Sequence, residues 1–274
     1  MAVVAQPTPR GTVAASVRTK AGDWVPAIVV FFLAIVVWQL AIDAFNIQKF
    51  LLPKPASIAS AFWTQRSTLW SAGWLTLKEA LGGFAIGSGL GIVMAIVLAR
   101  FRRLGDALMP IAIAANAVPI IAFSPIFNAW FDPLSPAPRM ATAGVLCFFP
   151  VLVNTLRGLT SVRPAQVDLM RSYAASELDI FRRVRVPTAL PFVFSALKVA
   201  TVLAMIGAIV SDYFGTFGSL GITIKNSVSL FDFEPAWAAI LTASILGVLL
   251  YVAVSLVERY TLQWDPTRQE RGNA

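Results

Sequence analysis

The stretch Pro164-Ala-Gln-Val-Asp168-Leu-Met-Arg171-Ser-Tyr-Ala174-Ala-Ser176-Glu-Leu-Asp179-Ile-Phe181-Arg182-Arg-Val184-Arg-Val-Pro187 is the one sizeable polar segment of the chain that is both rich in charge and patterned to fold. Pro164 suits a first helical turn, and the residues after it set Val167, Met170 and Ala174 along one face with Asp168 and Arg171 beside them. Ser176 followed by Asp179 three positions on has the spacing of a capping box, which starts a second short helix expected to run to about Val184. Pro187 and Pro191 then close the loop, which spans Gly158 to Ala189. The expectation is a helix-turn-helix studded with arginines and anchored by Leu178, Phe181 and Val184. A compact charged hairpin with an apolar face is shaped to dock against another protein.

On either side of this loop the chain turns apolar. Met140 to Leu156 precedes it and Leu190 to Ser211 follows it; Trp24 to Ile42, Ala80 to Ala99, Ala107 to Phe131 and Ala236 to Val257 are comparable. Each is about the length that crosses the hydrocarbon of a bilayer. Of the 274 residues 57% are hydrophobic and 13% charged, too little polar surface to cover a soluble globule of this size. The fold class expected is an all-α membrane protein with six transmembrane helices. An even number of spans puts both termini on one side, and the basic residues say which side. The N-terminus and the segments around Arg100, Arg171 and Arg259 hold 15 of the 22 lysines and arginines, and the opposite loops hold five (Lys49, Lys54, Arg66, Arg139 and Lys225). Both termini are therefore expected in the cytoplasm. The formal charge of +8 is accounted for as a topology signal, so nucleic acid is not expected as a partner and membrane lipid is. Residues 1–23 read as a flexible cytoplasmic lead, 24–257 as one six-helix membrane domain with its loop at 158–189, and 258–274 as a cytoplasmic tail. Trp24 to Ile42 is too long for the core of a cleaved signal peptide.

Little in the chain offers covalent chemistry. There is no histidine, and the single cysteine, Cys147, lies in an apolar run, so metal sites, disulfides and a catalytic role are not expected. Gly83, Gly87 and Gly91 recur every four residues and form a stripe for close helix packing, within one chain or between two. Pro110, Pro119 and Pro125 interrupt the third apolar segment; broken helices leave carbonyls that only protein or a wet cavity can satisfy. Asn116, Ser124 and Asn128 there, with Asn154 and Lys198 elsewhere at depth, are candidates to line a solute pathway, although contacts between helices explain them equally well. For Lys198 three readings stay open: snorkelling to the headgroups, a helix–helix ion pair, or contact with an anionic solute. Lys78 and Glu79, adjacent in sequence, read as markers of the outer end of the second span and not as a buried pair.

The loop residues also resemble a family. Asp168-Leu-Met, Ala174 six residues after Asp168, and Val184-Arg-Val186-Pro187 are similar to the cytoplasmic signature loop of permease subunits of ATP-binding-cassette importers, in the nitrate, sulfonate and taurine branch. That loop begins Glu-Ala-Ala, has glycine where Ala174 stands, and closes aliphatic, any residue, aliphatic, proline. If a positive φ is needed at residue 174, alanine is the costlier occupant. The resemblance implies the type I importer permease fold in a bacterial cytoplasmic (inner) membrane. Asp168, Arg171, Ala174, Ser176, Asp179, Phe181, Arg182, Val184 and Pro187 would be the coupling residues of that loop. It also implies a homodimer, two ATPase subunits, an extracytoplasmic solute-binding protein, and a small anionic or heterocyclic solute such as a sulfonate, nitrate or vitamin precursor. The chain has no Gly-x-x-x-x-Gly-Lys-Ser/Thr loop, so it is expected to bind no cofactor and to be no enzyme, with ATP and magnesium on the partner ATPase. The alternative is a small secondary transporter or channel working without ATP, for which Lys198 is the clear ionisable candidate.

Overall fold

The computed structural model describes residues 13–49, 51–115, 119–132, 134–215 and 218–263, and these divide between two compact units, Met1–Ser60 and Ala61–Ala274. In the first unit, helix α1 (Val13–Ala44) starts within the stretch expected to be a flexible lead; Ala14, Ala15 and Ala21 are strong helix formers and extend the apolar helix backwards. At its other end Asp43 accepts hydrogen bonds from Lys54 and, at 3.2 Å, from Gln39. Those bonds turn the chain from α1 into the start of α2 (Pro55–Thr64).

The second unit is built on four long helices: α3 (Arg66–Arg100), α6 (Ala137–Thr160), α9 (Val186–Asp212) and α11 (Phe233–Thr261). Their contacts run through small residues. A Cβ placed on Gly83 would stand 2.5 Å from the Ala143 Cβ, one on Gly87 2.1 Å from the Gly144 carbonyl oxygen, and one on Gly91 2.8 Å from the Phe148 carbonyl oxygen. The glycine stripe therefore meets α6 of the same chain, and the order of these pairs makes α3 and α6 parallel. Gly158 lies against Ala189, and Gly207 against Ala143, so α9 runs antiparallel to both. Ala80, Ala95, Ala143, Ala200, Ala204, Ala208, Ala238 and Ala239 are fully buried between the helices. In lipid there is no hydrophobic drive to pair helices, and close backbone approach across small residues supplies the packing attraction instead. At the N-terminal end of α3, Trp70 and Trp74 are exposed, Lys78 sits over the Trp74 ring and Arg66 over that of Trp63. Such amphipathic rings suit a membrane–water interface.

Five helices among the described residues are long and apolar enough to cross a membrane: Val25–Ala44, Arg66–Arg100, Ala137–Thr160, Glu177–Asp212 and Phe233–Thr261. The remaining expected span, Ala107 to Phe131, is not one helix. It consists of α4 (Arg102–Ala115), a 3-10 turn at Ile120–Phe123 and the short α5 (Ser124–Trp130). Proline supplies no N–H and is best tolerated in a first helical turn; Pro119 stands just before the 3-10 turn, and Pro125 lies in the first turn of α5. Asn116 lies outside the described residues.

The packing yields a test. Replacing Gly87 by leucine should abolish monodisperse folded protein in detergent, because the Gly144 backbone that it would meet has nowhere to move; overpacking costs about 1–3 kcal/mol even where side chains give way. Gly89, two residues on, has open space around its Cβ position. Gly89→Ala should melt at or slightly above the wild-type temperature.

Candidate functional site

Helix α7 (Pro164–Ser172) begins as the sequence predicts, with Pro164 in the first turn and Arg163 extended before it. It ends in a Schellman turn: the Ala175 N–H donates to the Met170 carbonyl at 3.1 Å and the Ala174 N–H to the Arg171 carbonyl at 2.9 Å. That closure requires the left-handed conformation at its central position, and Ala174 has φ +56°. Helix α8 (Glu177–Ile180) then opens on a capping box. The Asp179 N–H donates to Ser176 Oγ at 3.2 Å, and the Ser176 N–H donates back to Asp179 Oδ2 at 3.3 Å. Arg171 spans the turn to Glu177 at 3.0 Å, and Arg183 approaches Asp179 at 3.8 Å.

The second helix does not stop at Val184 as expected. A π-turn at Phe181–Arg185 joins α8 to α9 without a break, the Val186 N–H reaching back five residues to the Phe181 carbonyl. One wider turn absorbs the donor that Pro187 lacks in the first turn of α9. The expected anchors are also redistributed. Ile180 is fully buried and Phe181 and Val184 are half-buried, whereas Leu178 is 56% exposed. With Leu169 and Tyr173, 57% and 78% exposed, it leaves an apolar surface among Asp168, Arg171 and Arg182, all of them exposed. Two large aliphatics and a tyrosine on a rigid double turn are what a protein partner would bury.

At the opposite end of the four-helix unit is a buried ionic cluster that the sequence reading missed. Arg139, in the first turn of α6, is 1% exposed; its Nε donates to Glu79 Oε1 of α3 at 2.8 Å and lies 3.9 Å from Asp212 Oδ1 at the end of α9. Its guanidinium also donates to the Ser135 carbonyl at 2.5 Å. Thr76 donates to Asp212 Oδ2 at 2.8 Å and accepts, at 3.2 Å, from the N–H of Leu220 at the start of α10 (Leu220–Ser229). Glu79 is thus a buried partner and not an end marker. One signal was available: Thr76, Glu79, Gly83, Gly87 and Gly91 share one helical stripe.

Residues 87–262 match the family described as binding-protein-dependent transport system inner membrane component. The chain belongs to that family. It is similar to the riboflavin transport system permease protein RibX of Chloroflexus aurantiacus, 30% identical over 86% of this chain and 89% of the relative. The formylaminopyrimidine transport permease protein ThiX of Halalkalibacterium halodurans is 31% identical over 85% and 93%. A putative aliphatic sulfonates transport permease protein, SsuC of Escherichia coli, is 28% identical over 90% and 96%. Among solved structures, an amino acid ABC transporter superposes with a TM-score of 0.58 at 18% identity, covering 72% of this chain and 95% of that one. The MetNI methionine transporter superposes with a TM-score of 0.52 over 72% and 96%; both carry the type I importer permease fold. The protein is a multi-pass permease component of a binding-protein-dependent ATP-driven importer, and not the secondary transporter weighed as the alternative.

Within this permease the pathway residues expected from sequence are scattered. Ser124 and Asn128 sit together on α5, buried, the Asn128 amide donating to the Ser124 carbonyl at 2.8 Å. The Ser124 hydroxyl and Asn128 Oδ1 have no hydrogen-bond partner. Asn154 donates to the Pro150 carbonyl one turn back, at 2.8 Å, beside the carbonyl that Pro150 leaves short of a donor. Lys198 pairs with Glu258 of α11 at 2.9 Å, so of its three readings the helix–helix ion pair is the one observed. Glu258 escaped notice because the sixth apolar run was ended at Val257. A cavity of about 740 Å³ lies between the ends of α3, α4 and α6, lined by Leu98, Met109, Ile113 and Leu156 with Asp106 and Thr160. Among the described residues, Ser124, Asn128, Asn154 and Lys198 are not part of its lining.

Ala174 generates a prediction. An L-residue in the left-handed region costs about 1–2 kcal/mol, and glycine gives back roughly 0.5–1 of that through its freer unfolded chain. Ala174→Gly should therefore slow hydrogen exchange at Ala175 and Ser176 about two- to fivefold and leave the fold unchanged; faster exchange would show that the turn carries no strain.

Proposed function

We propose that the α7–α8 surface is the coupling site for a separate cytoplasmic ATPase, which holds the ATP and magnesium that this chain has no loop to bind. The observation that carries the reading is the rigid double turn itself. A Schellman closure, a capping box and an Arg171–Glu177 bridge fix Leu169, Tyr173 and Leu178 in the open, and the π-turn connects them directly to α9. A push on α8 is thereby transmitted to a bundle helix as a rigid lever, the mechanical need of alternating access. Asp168, Arg171, Ser176, Asp179, Phe181, Arg182, Val184 and Pro187 form or brace this element, and Ala174 turns it.

In the same reading the permease works as a homodimer with two ATPases and an extracytoplasmic solute-binding protein. The arginine-rich loop and both termini face the cytoplasm, in keeping with the distribution of basic residues, and a sixth crossing is completed by the broken segment from α4 to α5. Relatives named for riboflavin, formylaminopyrimidine and aliphatic sulfonates support a small anionic or heterocyclic solute.

Affinity purification of the tagged chain from its native membranes in mild detergent should recover an ATPase with a phosphate-binding loop. Tyr173→Glu and Asp168→Arg should each reduce that recovery at least tenfold while the permease stays inserted and monodisperse. Undiminished recovery with both variants would remove the coupling role from this surface.

A further inference from the structure

The cluster at the end of the bundle away from α7 and α8 has more acid than base. Glu79, Asp212 and Arg139 are 2%, 0% and 1% exposed, and each comes from a different long helix. Arg139 satisfies Glu79 Oε1, and Thr76 satisfies Asp212 Oδ2. What remains is one oxygen on each acid: Glu79 Oε2 and Asp212 Oδ1 are buried without a hydrogen-bond partner. The two acids crowd one guanidinium, Arg139 Nε lying 2.8 Å from Glu79 Oε1 and 3.9 Å from Asp212 Oδ1. If both were ionised, lone pairs would face lone pairs, and one negative charge would be left uncompensated inside the protein, which is strongly unfavourable.

One proton removes both faults. We propose that Glu79 and Asp212 share a proton, with Glu79 Oε2–H donating to Asp212 Oδ1, so that the arginine and the two acids form a neutral clasp joining α3, α6 and α9. Glu79 is the donor because Asp212 already accepts from the Thr76 hydroxyl, which steadies its ionised form. The other charged groups near this end are engaged or distant. Lys78 of α3 lies over the Trp74 ring and Lys225 of α10 over that of Tyr213. Asp232 and Glu234 are at the head of α11, roughly two turns before Thr242, the residue that meets Gly73. Arg139 is the cation bonded to the pair among the described residues. Through Thr76 the clasp also fixes the N–H of Leu220, and with it the start of α10. Alkaline medium would strip the proton, leave a net negative charge at the junction and loosen this end of the bundle.

The full-length chain in lipid nanodiscs tests the clasp with Glu79→Gln, whose amide donates permanently where the proton does while its carbonyl still accepts from Arg139. Wild-type protein should lose stability as pH rises from the ordinary carboxylate range to the pair's titration point, about tenfold in the folding equilibrium for each pH unit, and should change no further above it. The glutamine variant should fold and show a melting midpoint flat across the same range. In the infrared, wild-type protein at neutral pH should show the C=O stretch of an un-ionised carboxylic acid, and Glu79→Gln should lack it. A wild-type spectrum without that band, a band that persists in Glu79→Gln, or a glutamine variant that fails to fold or melts below wild type would each mean that Glu79 holds no proton.

Discussion

The structure depends on how closely three backbones approach one another. Helix α6 lies between α3 and α9, and at Gly87 not even one methyl group fits, since its Cβ would stand 2.1 Å from the Gly144 carbonyl oxygen. Lipid tails are as apolar as leucine, so burying large side chains gives little net attraction between helices in a bilayer. Dispersion summed over close-packed backbone and alanine does instead, and it is short-ranged enough that the register must be correct. The buried alanines of α9 and α11 extend the same solution outward. Large residues such as Leu90, Val93, Val248 and Leu249 are left on the outside, where hydrocarbon accepts them.

That tight seam makes the polar groups at its two ends consequential. At one end Arg139, Glu79 and Asp212 are shut in by the same packing that brings α3, α6 and α9 together, and only mutual bonding makes their burial tolerable. At the other, Lys198 and Glu258 clip α9 to α11 in the part of the bundle nearer the arginine-rich loop. The seam between the two ends is made mostly of glycine and alanine, with Ser88, Thr142, Thr155 and Thr201 buried among them. The bundle is thus held by ion pairs toward both ends as well as by the close-packed seam between them. Helix α8 runs through the π-turn into α9 without a break, so the loop is continuous with a helix of the bundle.

The loop and the broken third segment show opposite sides of proline's effect. Pro187 costs α9 a donor, and a single wide turn repairs the loss because Val186 can bond one residue further back. Pro119 has no such repair, and the segment ends and restarts around it. The difference lies in context: Pro187 enters α9 from a continuous helical turn, and Pro119 leads only into a short 3-10 turn.

The sequence alone determined the all-helical membrane class, the positions of the long apolar helices, and the local chemistry of the loop. Length, hydropathy, capping-box spacing and charge asymmetry are local properties, and each was readable without knowing what touches what. At Ala174 the sequence set only a condition, that a positive φ would be costly there, and the structure supplied the φ of +56°. The tertiary structure decided what those local signals leave open. That the glycine stripe faces α6 of its own chain, that Lys198 finds Glu258, and that Glu79 turns inward to Arg139 and Asp212 are pairings across 60 or more positions, set by which helix packs on which. A charged residue near the end of an apolar run looks the same in sequence whether it meets headgroups or a buried counter-charge. Only the crossing of α3, α6 and α9 distinguishes the two.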